Sequence, residues 1–236
     1  MIEARPLRGF DITFGRYLQW LLRRSFRGVW VREDVAVPDG GFVAVANHAS
    51  WWDGFLPYAV QRAIAPAVPF FVMMTEEQLR RYWFFRYGGA FSIDADSPRD
   101  CVRSIDVAAR SASGGGGVWI YPQGCLENGD PRRFHPGYLH AARAAGKPVV
   151  ACAVRLAFVE AQRPDAFVEF APPIDACDRN AGSTVLATVR ASLQRIDADL
   201  AAGRALHGRR SLYPASGGPD VVSARLAAIA GNRFVR

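Results

Sequence analysis

Two side chains in this sequence have the types and spacing needed to move a proton. His48 and Asp53 lie within Asn47-His48-Ala49-Ser50-Trp51-Trp52-Asp53-Gly54. An imidazole beside a carboxylate is a general base with an orienting partner: the carboxylate holds one ring nitrogen and leaves the other to accept a proton. The stretch also has a plainer reading. Ser50 and Asp53 fit a capping box, in which Asp53 satisfies backbone amides at a helix start. The two roles are compatible. Asn47 by itself reads as a turn residue.

Other reactive residues are harder to group. Cys101, Cys125, Cys152 and Cys177 are widely spaced, with no Cys-x-x-Cys pair and no secretory signal, so reduced thiols are expected. Cys125 is a candidate nucleophile, although its sequence neighbours are not markedly basic. His135 and His140 flank Pro136-Gly137, so they share no regular helix, and no third metal ligand accompanies them. No metal is expected. The chain carries 29 basic and 22 acidic residues, a formal charge of +7, and Lys147 is its only lysine. Arginine suits planar recognition of phosphates and carboxylates. Charge of this sign fits nucleic acid, an anionic membrane or an acidic protein. Nucleic acid is set aside, since no zinc spacing, helix-turn-helix or aromatic RNA motif is present.

These residues need elements to hold them. Phe42–Ala46 reads as a buried strand, so Asn47–Ser50 is a strand-to-helix turn, with a helix from Trp51 to about Ile64. Such a turn presents side chains to solvent on a rigid frame. Further strands are expected over Val29–Arg32, Pro69–Met74, Gly88–Ile93, Val118–Tyr121, Pro148–Leu156 and Phe167–Phe170. Helices are expected over Glu76–Phe85, Pro98–Ala112 with Ser97 as N-cap, Gly137–Ala145, Ser183–Ala202 with Ser183 as N-cap, and Asp220–Ala230. Gly203–Pro219 reads as loose and basic. Alternating strands and helices predict a single α/β domain with a largely parallel central sheet flanked by helices. Ligands then bind beyond the carboxyl ends of the strands, where the loops carrying His48, Asp94 and Gln123 are expected to converge.

Residues 10–27 precede this domain as an amphipathic helix. Phe14, Tyr17, Leu18, Leu21, Leu22 and Phe26 recur at helical spacing beside Arg16, Arg23, Arg24 and Arg27. The pattern reads equally as an interfacial helix on anionic lipid or as a packed surface helix. The expected division is residues 1–30 as this helical segment and 31–236 as the domain. No stretch reaches the roughly 18 consecutive apolar residues of a membrane span. The expected location is cytoplasmic, on the inner face of the membrane.

Several short motifs share an order. Asn47-His48 with Asp53 comes first. Gly89-Ala90-Phe91-Ser92-Ile93-Asp94 follows, then Tyr121-Pro122-Gln123-Gly124 with Phe134-His135-Pro136-Gly137, then Lys147-Pro148-Val149-Val150. Over about residues 42–156 this series resembles the four motifs of the glycerolipid acyltransferase superfamily, the lysophosphatidic acid acyltransferase-like proteins. The resemblance implies transfer of a fatty acyl group from an acyl thioester, on coenzyme A or acyl carrier protein, to a lipid hydroxyl. No cofactor beyond that co-substrate is implied. His48 and Asp53 take the catalytic roles, and Asn47, Asp94, Gln123 and Gly124 fall in the family's substrate-binding motifs. An anionic membrane surface, and an acidic carrier protein, are the implied macromolecular partners.

The sequence departs from the family where the acceptor is bound. The second motif usually continues with an arginine; here it is Ala95. The third usually reads Glu-Gly-Thr-Arg; here it is Gln123-Gly124-Cys125-Leu126. Both missing arginines are natural phosphate partners. Either Arg99, Arg132, Arg133 or Arg155 supplies that charge, or the acceptor is a phosphate-free lipid alcohol or glycolipid. The eroded motifs also admit a catalytically inactive, lipid-binding member of the same fold.

Overall fold

The structure is a computed structural model of the chain, and it describes residues 1–32, 37–127, 129–159 and 161–214. Its frame is an eight-stranded sheet. The strands are β1 (Gly28–Arg32), β2 (Phe42–Ala46), β3 (Phe70–Thr75), β4 (Ala90–Ile93), β5 (Gly117–Ile120), β6 (Val149–Ala157), β7 (Asp165–Phe170) and β8 (Arg209–Ser211), in the order β4-β3-β5-β2-β6-β7-β1-β8. From β4 to β6 every pairing is parallel. β7 runs antiparallel to β6, β1 parallel to β7, and β8 antiparallel to β1.

Helices cover both faces, which is why the central strand β2 is buried at all five positions. The two-residue period of the strand divides its side chains. Phe42, Ala44 and Ala46 face one core with Leu18, Leu22, Leu56 and Tyr58. Val43 and Val45 face the other with Val107, Tyr138, Val185 and Leu193. The first core is roofed by α1 (Arg8–Ser25) and α2 (Leu56–Ile64). The second is roofed by α4 (Pro98–Ser113), α5 (Gly137–Ala145) and α6 (Ala181–Ala201), with α3 (Glu76–Arg81) between β3 and β4.

The inner side of α1 is packed. Burying Leu18, Leu22 and Phe26 contributes roughly 1.5–3 kcal/mol each. Arg27 is also committed, its guanidinium pairing with the buried carboxylate of Asp165 at 2.7 Å. The opposite side leaves Ile12, Tyr17 and Trp20 exposed. The expected division at residue 30 runs through β1, which pairs with β7 and β8.

Some boundaries differ from the sequence reading. The helix expected from Trp51 is a 3-10 turn, Trp51–Gly54, followed by α2, because Asp53 turns back to bond the amides before it. The helix expected over Glu76–Phe85 breaks at Tyr82, and a second 3-10 turn covers Trp83–Gly88. α6 starts at Ala181, with Asn180 as its cap; the Ser183 hydroxyl donates back to the Asn180 carbonyl from inside the first turn. Within the stretch read as loose, Arg209–Ser211 forms edge strand β8. Ser97 caps α4 as expected, accepting the Asp100 amide. Gly89 is required at the turn into β4: its φ is +101°, and a Cβ there would meet the Phe70 carbonyl oxygen at 2.0 Å. The expected helix over Asp220–Ala230 lies outside the described residues.

Among the described residues no helix is long and apolar enough to cross a membrane.

Candidate active site

β2 ends where Asn47 leaves the sheet. Its buried amide continues the ladder to β6: Nδ2 donates to the Val154 carbonyl at 2.9 Å and Oδ1 accepts the Val154 amide at 2.8 Å. This side-chain rung lets the backbone turn away while its start stays fixed, so His48 departs from a rigid point.

The turn wraps the Asp53 carboxylate, whose side chain is 1% exposed. Oδ2 accepts the Ala49 amide at 2.7 Å, the Ser50 amide at 2.8 Å and His48 Nδ1 at 2.9 Å. Oδ1 accepts the Ser50 hydroxyl at 2.9 Å. Four donors supply the partners that a buried carboxylate requires. The capping and orienting roles therefore coexist on one group. A carboxylate can only accept here, so Nδ1 carries a proton, and in the neutral imidazole the lone pair is then on Nε2. No protein group bonds Nε2 among the described residues, and the His48 side chain is 29% exposed.

Two residues given no role from the sequence complete the mount. The Tyr121 ring lies against the His48 imidazole, centroids 4.7 Å apart, and its hydroxyl donates to the Asp53 carbonyl. Burial, and then the charge of Asp53, hold the Tyr121 phenol well above its ordinary pKa, so it stays a donor. Glu127 donates its amide to the His48 carbonyl at 2.9 Å and accepts Gln123 Nε2 on its carboxylate at 2.9 Å. Gln123 Oε1 in turn accepts the His48 amide at 2.6 Å. These residues follow β5, and β5 is the neighbour of β2. The sequence reading brought the Gln123 loop toward His48, but the contacts of the Tyr121 ring and of Glu127 follow only from the pairing of β5 with β2.

The expected meeting of three loops is corrected to a meeting of two. β3 lies between β4 and β5, so the loop after β4 is three strand spacings from that of β2, roughly 14 Å. Asp94 there bonds the amide of Asp96 and accepts the Cys101 thiol on its carbonyl. It organises the approach to α4 and has no contact with His48.

The remaining candidates make no hydrogen bond or ring contact with the His48 ring among the described residues. Gly124 is exposed at φ +75°, with its amide bonded to the Tyr121 carbonyl at 3.2 Å. No hydrogen bond among the described residues occupies the next two amides, of Cys125 and Leu126. Cys125 is exposed, and its thiol donates to the Gln123 carbonyl. Arg132 and Arg133 are exposed, and no ion pair among the described residues holds their side chains. Arg190 secures their loop through the carbonyls of Pro131 and Arg132. Arg155 is engaged by Asp197 at 2.6 Å and Asp130 at 3.4 Å. No cluster of potential metal ligands occurs among the described residues.

Beside the turn, Trp52 packs on Phe26 while Trp51 remains 62% exposed. Trp51 meets Phe55, which meets Phe14 and Phe85. This run of ring contacts, exposed at Trp51 and buried at Phe55, leads from the His48 turn past α1 to the second 3-10 turn.

The chain matches the family model described as Acyltransferase over residues 28–155. Its fold resembles the crystal structure of the 1-acyl-sn-glycerophosphate (LPA) acyltransferase PlsC from Thermotoga maritima, with a TM-score of 0.59, 18% identity, and 80% of this chain and 79% of that one covered. No curated protein sequence matches significantly.

Proposed function

The chain belongs to the acyltransferase family, and on that premise we propose that it moves a fatty acyl group from an acyl thioester to the hydroxyl of a lipid acceptor, with His48 and Asp53 as the catalytic dyad. The observation that carries this reading is the imidazole itself. Its Nδ1 is held by a buried carboxylate at 2.9 Å, while no group among the described residues bonds its Nε2 and the side chain is partly exposed.

The chemistry follows from that tautomer. His48 Nε2 removes the hydroxyl proton as the acceptor oxygen attacks the thioester carbonyl carbon. Asp53 stabilises the imidazolium that forms. The tetrahedral oxyanion needs backbone donors, and the Cys125 and Leu126 amides, which no hydrogen bond occupies among the described residues, are candidates in the loop that also contacts His48. Collapse breaks the C–S bond, and the imidazolium returns its proton to the leaving thiolate. The products are an ester and a free thiol on coenzyme A or acyl carrier protein. No metal or organic cofactor enters.

We assign the acceptor to phosphate-free lipid alcohols or glycolipids. Ala95 and Leu126 leave no guanidinium in either motif, Arg155 is already paired with two carboxylates, and the Glu127 carboxylate lies close to the site. Asp94, Arg132 and Arg133 then serve the more distant parts of donor and acceptor. The protein works on the inner face of an anionic membrane, with the exposed side of α1 and the adjoining aromatics against the lipid.

The test is thiol release from long-chain acyl-coenzyme A and from acyl carrier protein, with a panel of lipid acceptors. His48→Ala should lose roughly 10²–10⁴-fold. Equal, background-level release by wild type and variant would favour a lipid-binding member without turnover. Selective use of lysophosphatidate would overturn the phosphate-free acceptor.

A further inference from the structure

We propose that Glu127 is a positioning residue for the His48 base, acting through Gln123, and that the two side chains form a matched pair. The inference rests on the role of His48 proposed above.

Three hydrogen bonds carry it. The loop after β5 grips the His48 peptide at both ends. The backbone N–H donates to Gln123 Oε1 at 2.6 Å, and the carbonyl accepts the Glu127 amide at 2.9 Å. The third bond closes the ring, from Gln123 Nε2 to Glu127 Oε2 at 2.9 Å. Each end of the Gln123 amide has only one fitting partner. A backbone N–H can only donate, so Oε1 must face it. An ionised carboxylate can only accept, so Nε2 must face Glu127. The amide is thereby locked, and Gln123 is itself buried.

The identity at position 123 follows from that at position 127. A glutamate at 123 can accept the His48 amide, but its second oxygen then meets the Glu127 carboxylate at hydrogen-bond distance. Like charges this close cannot both stay ionised without moving apart. Moving apart pulls on the His48 peptide, which sets where Nε2 points. Exchanging the two side chains restores every bond. The carboxylate at 123 accepts from His48, and the amide at 127 donates to it. The departure from the family's third motif is therefore compensated four residues later within the same loop.

The experiment is a double-mutant cycle on the full chain: wild type, Gln123→Glu, Glu127→Gln and the double exchange. Two readouts are taken. One is kcat and KM with long-chain acyl-coenzyme A and a long-chain alcohol in detergent micelles. The other is exchange of the His48 amide proton by ¹⁵N NMR. Gln123→Glu should lower kcat roughly 10–100-fold, the scale of lost orienting partners, leave the donor KM little changed, and speed the amide exchange. The double exchange should recover both readouts to within about threefold, on the same scale. Independent, multiplying effects of the two changes overturn the pairing, as does unaltered His48 exchange in Gln123→Glu. If Gln123→Glu does not fold, Glu127→Ala decides: it leaves Gln123 Nε2 without its partner, and an unchanged exchange rate for His48 overturns the proposal. Turnover that depends on His48 but shows no rescue sinks the pairing alone. An exchange pattern that follows the pairing in a protein without turnover sinks the acyl-transfer reading alone.

Discussion

At the scale of single residues, the site is a histidine whose every freedom is removed except one. Asn47 fixes where the chain leaves the sheet, Asp53 takes Nδ1, and Tyr121 takes the ring face. Asp53→Asn should be severe although it is nearly isosteric. Its amide cannot accept all the donors that now converge on the carboxylate, and it can hold the ring in the wrong tautomer. We expect kcat to fall by roughly 10³–10⁴-fold, near that of removing the base, with donor KM little altered in steady-state assays. Tyr121→Phe should be milder. The ring contact remains, while the hydrogen bond to the Asp53 carbonyl is lost. About 1 kcal/mol of stability should go with it, read by urea unfolding. Tyr121→Ala removes the ring support as well and should cost activity that the phenylalanine variant retains.

At the scale of elements, α1 joins two alternatives that the sequence left even. Leu18 and Leu22 make it a packed helix, while Ile12, Tyr17 and Trp20 give it an outer apolar side. Trp20 is 54% exposed with the Arg24 guanidinium 5.8 Å over its ring, and Trp83, 60% exposed, extends the patch from the second 3-10 turn. Aromatic rings beside arginines suit the boundary between headgroups and acyl chains. The full chain should therefore sediment with vesicles of anionic phosphatidylglycerol and less with neutral phosphatidylcholine. Trp20→Ala with Trp83→Ala should weaken that binding several-fold while leaving the melting temperature nearly unchanged, since neither side chain is in a core. Equal sedimentation of variant and wild type would place the lipid surface elsewhere.

At the scale of the molecule, burial sets an alkaline limit. Tyr138, between α5 and the sheet, has its phenol pushed up to about 12 by burial, against an ordinary 10.0. Below pH 10 the phenol is neutral folded and unfolded, and its contribution to stability is fully present. Between about 10 and 12 only the unfolded chain ionises, so that contribution is lost as pH rises through the folded value. Tyr138→Phe should flatten this part of the curve when chemical denaturation is followed from pH 9 to 12. An unchanged slope would mean that the phenol is better hydrated than its packing indicates.

Much of this protein was legible in one sequence because local rules decide it. The turn after Phe42–Ala46 follows from an apolar strand meeting a capping pattern. The cap of α4 follows from Ser97 before Pro98. The four motifs could be placed on strand ends because apolar runs and glycine or proline breaks delimit them, and the resemblance to the family rests on their order. Tertiary structure alone decided which strand ends are neighbours. Hydrogen bonding between distant segments put β5 beside β2 and β3 between β5 and β4. That order brought Tyr121, Gln123 and Glu127 onto His48 and left Asp94 three strands away. It also showed that the histidine is held by a loop 75 residues further along the chain, a contact that no local propensity records.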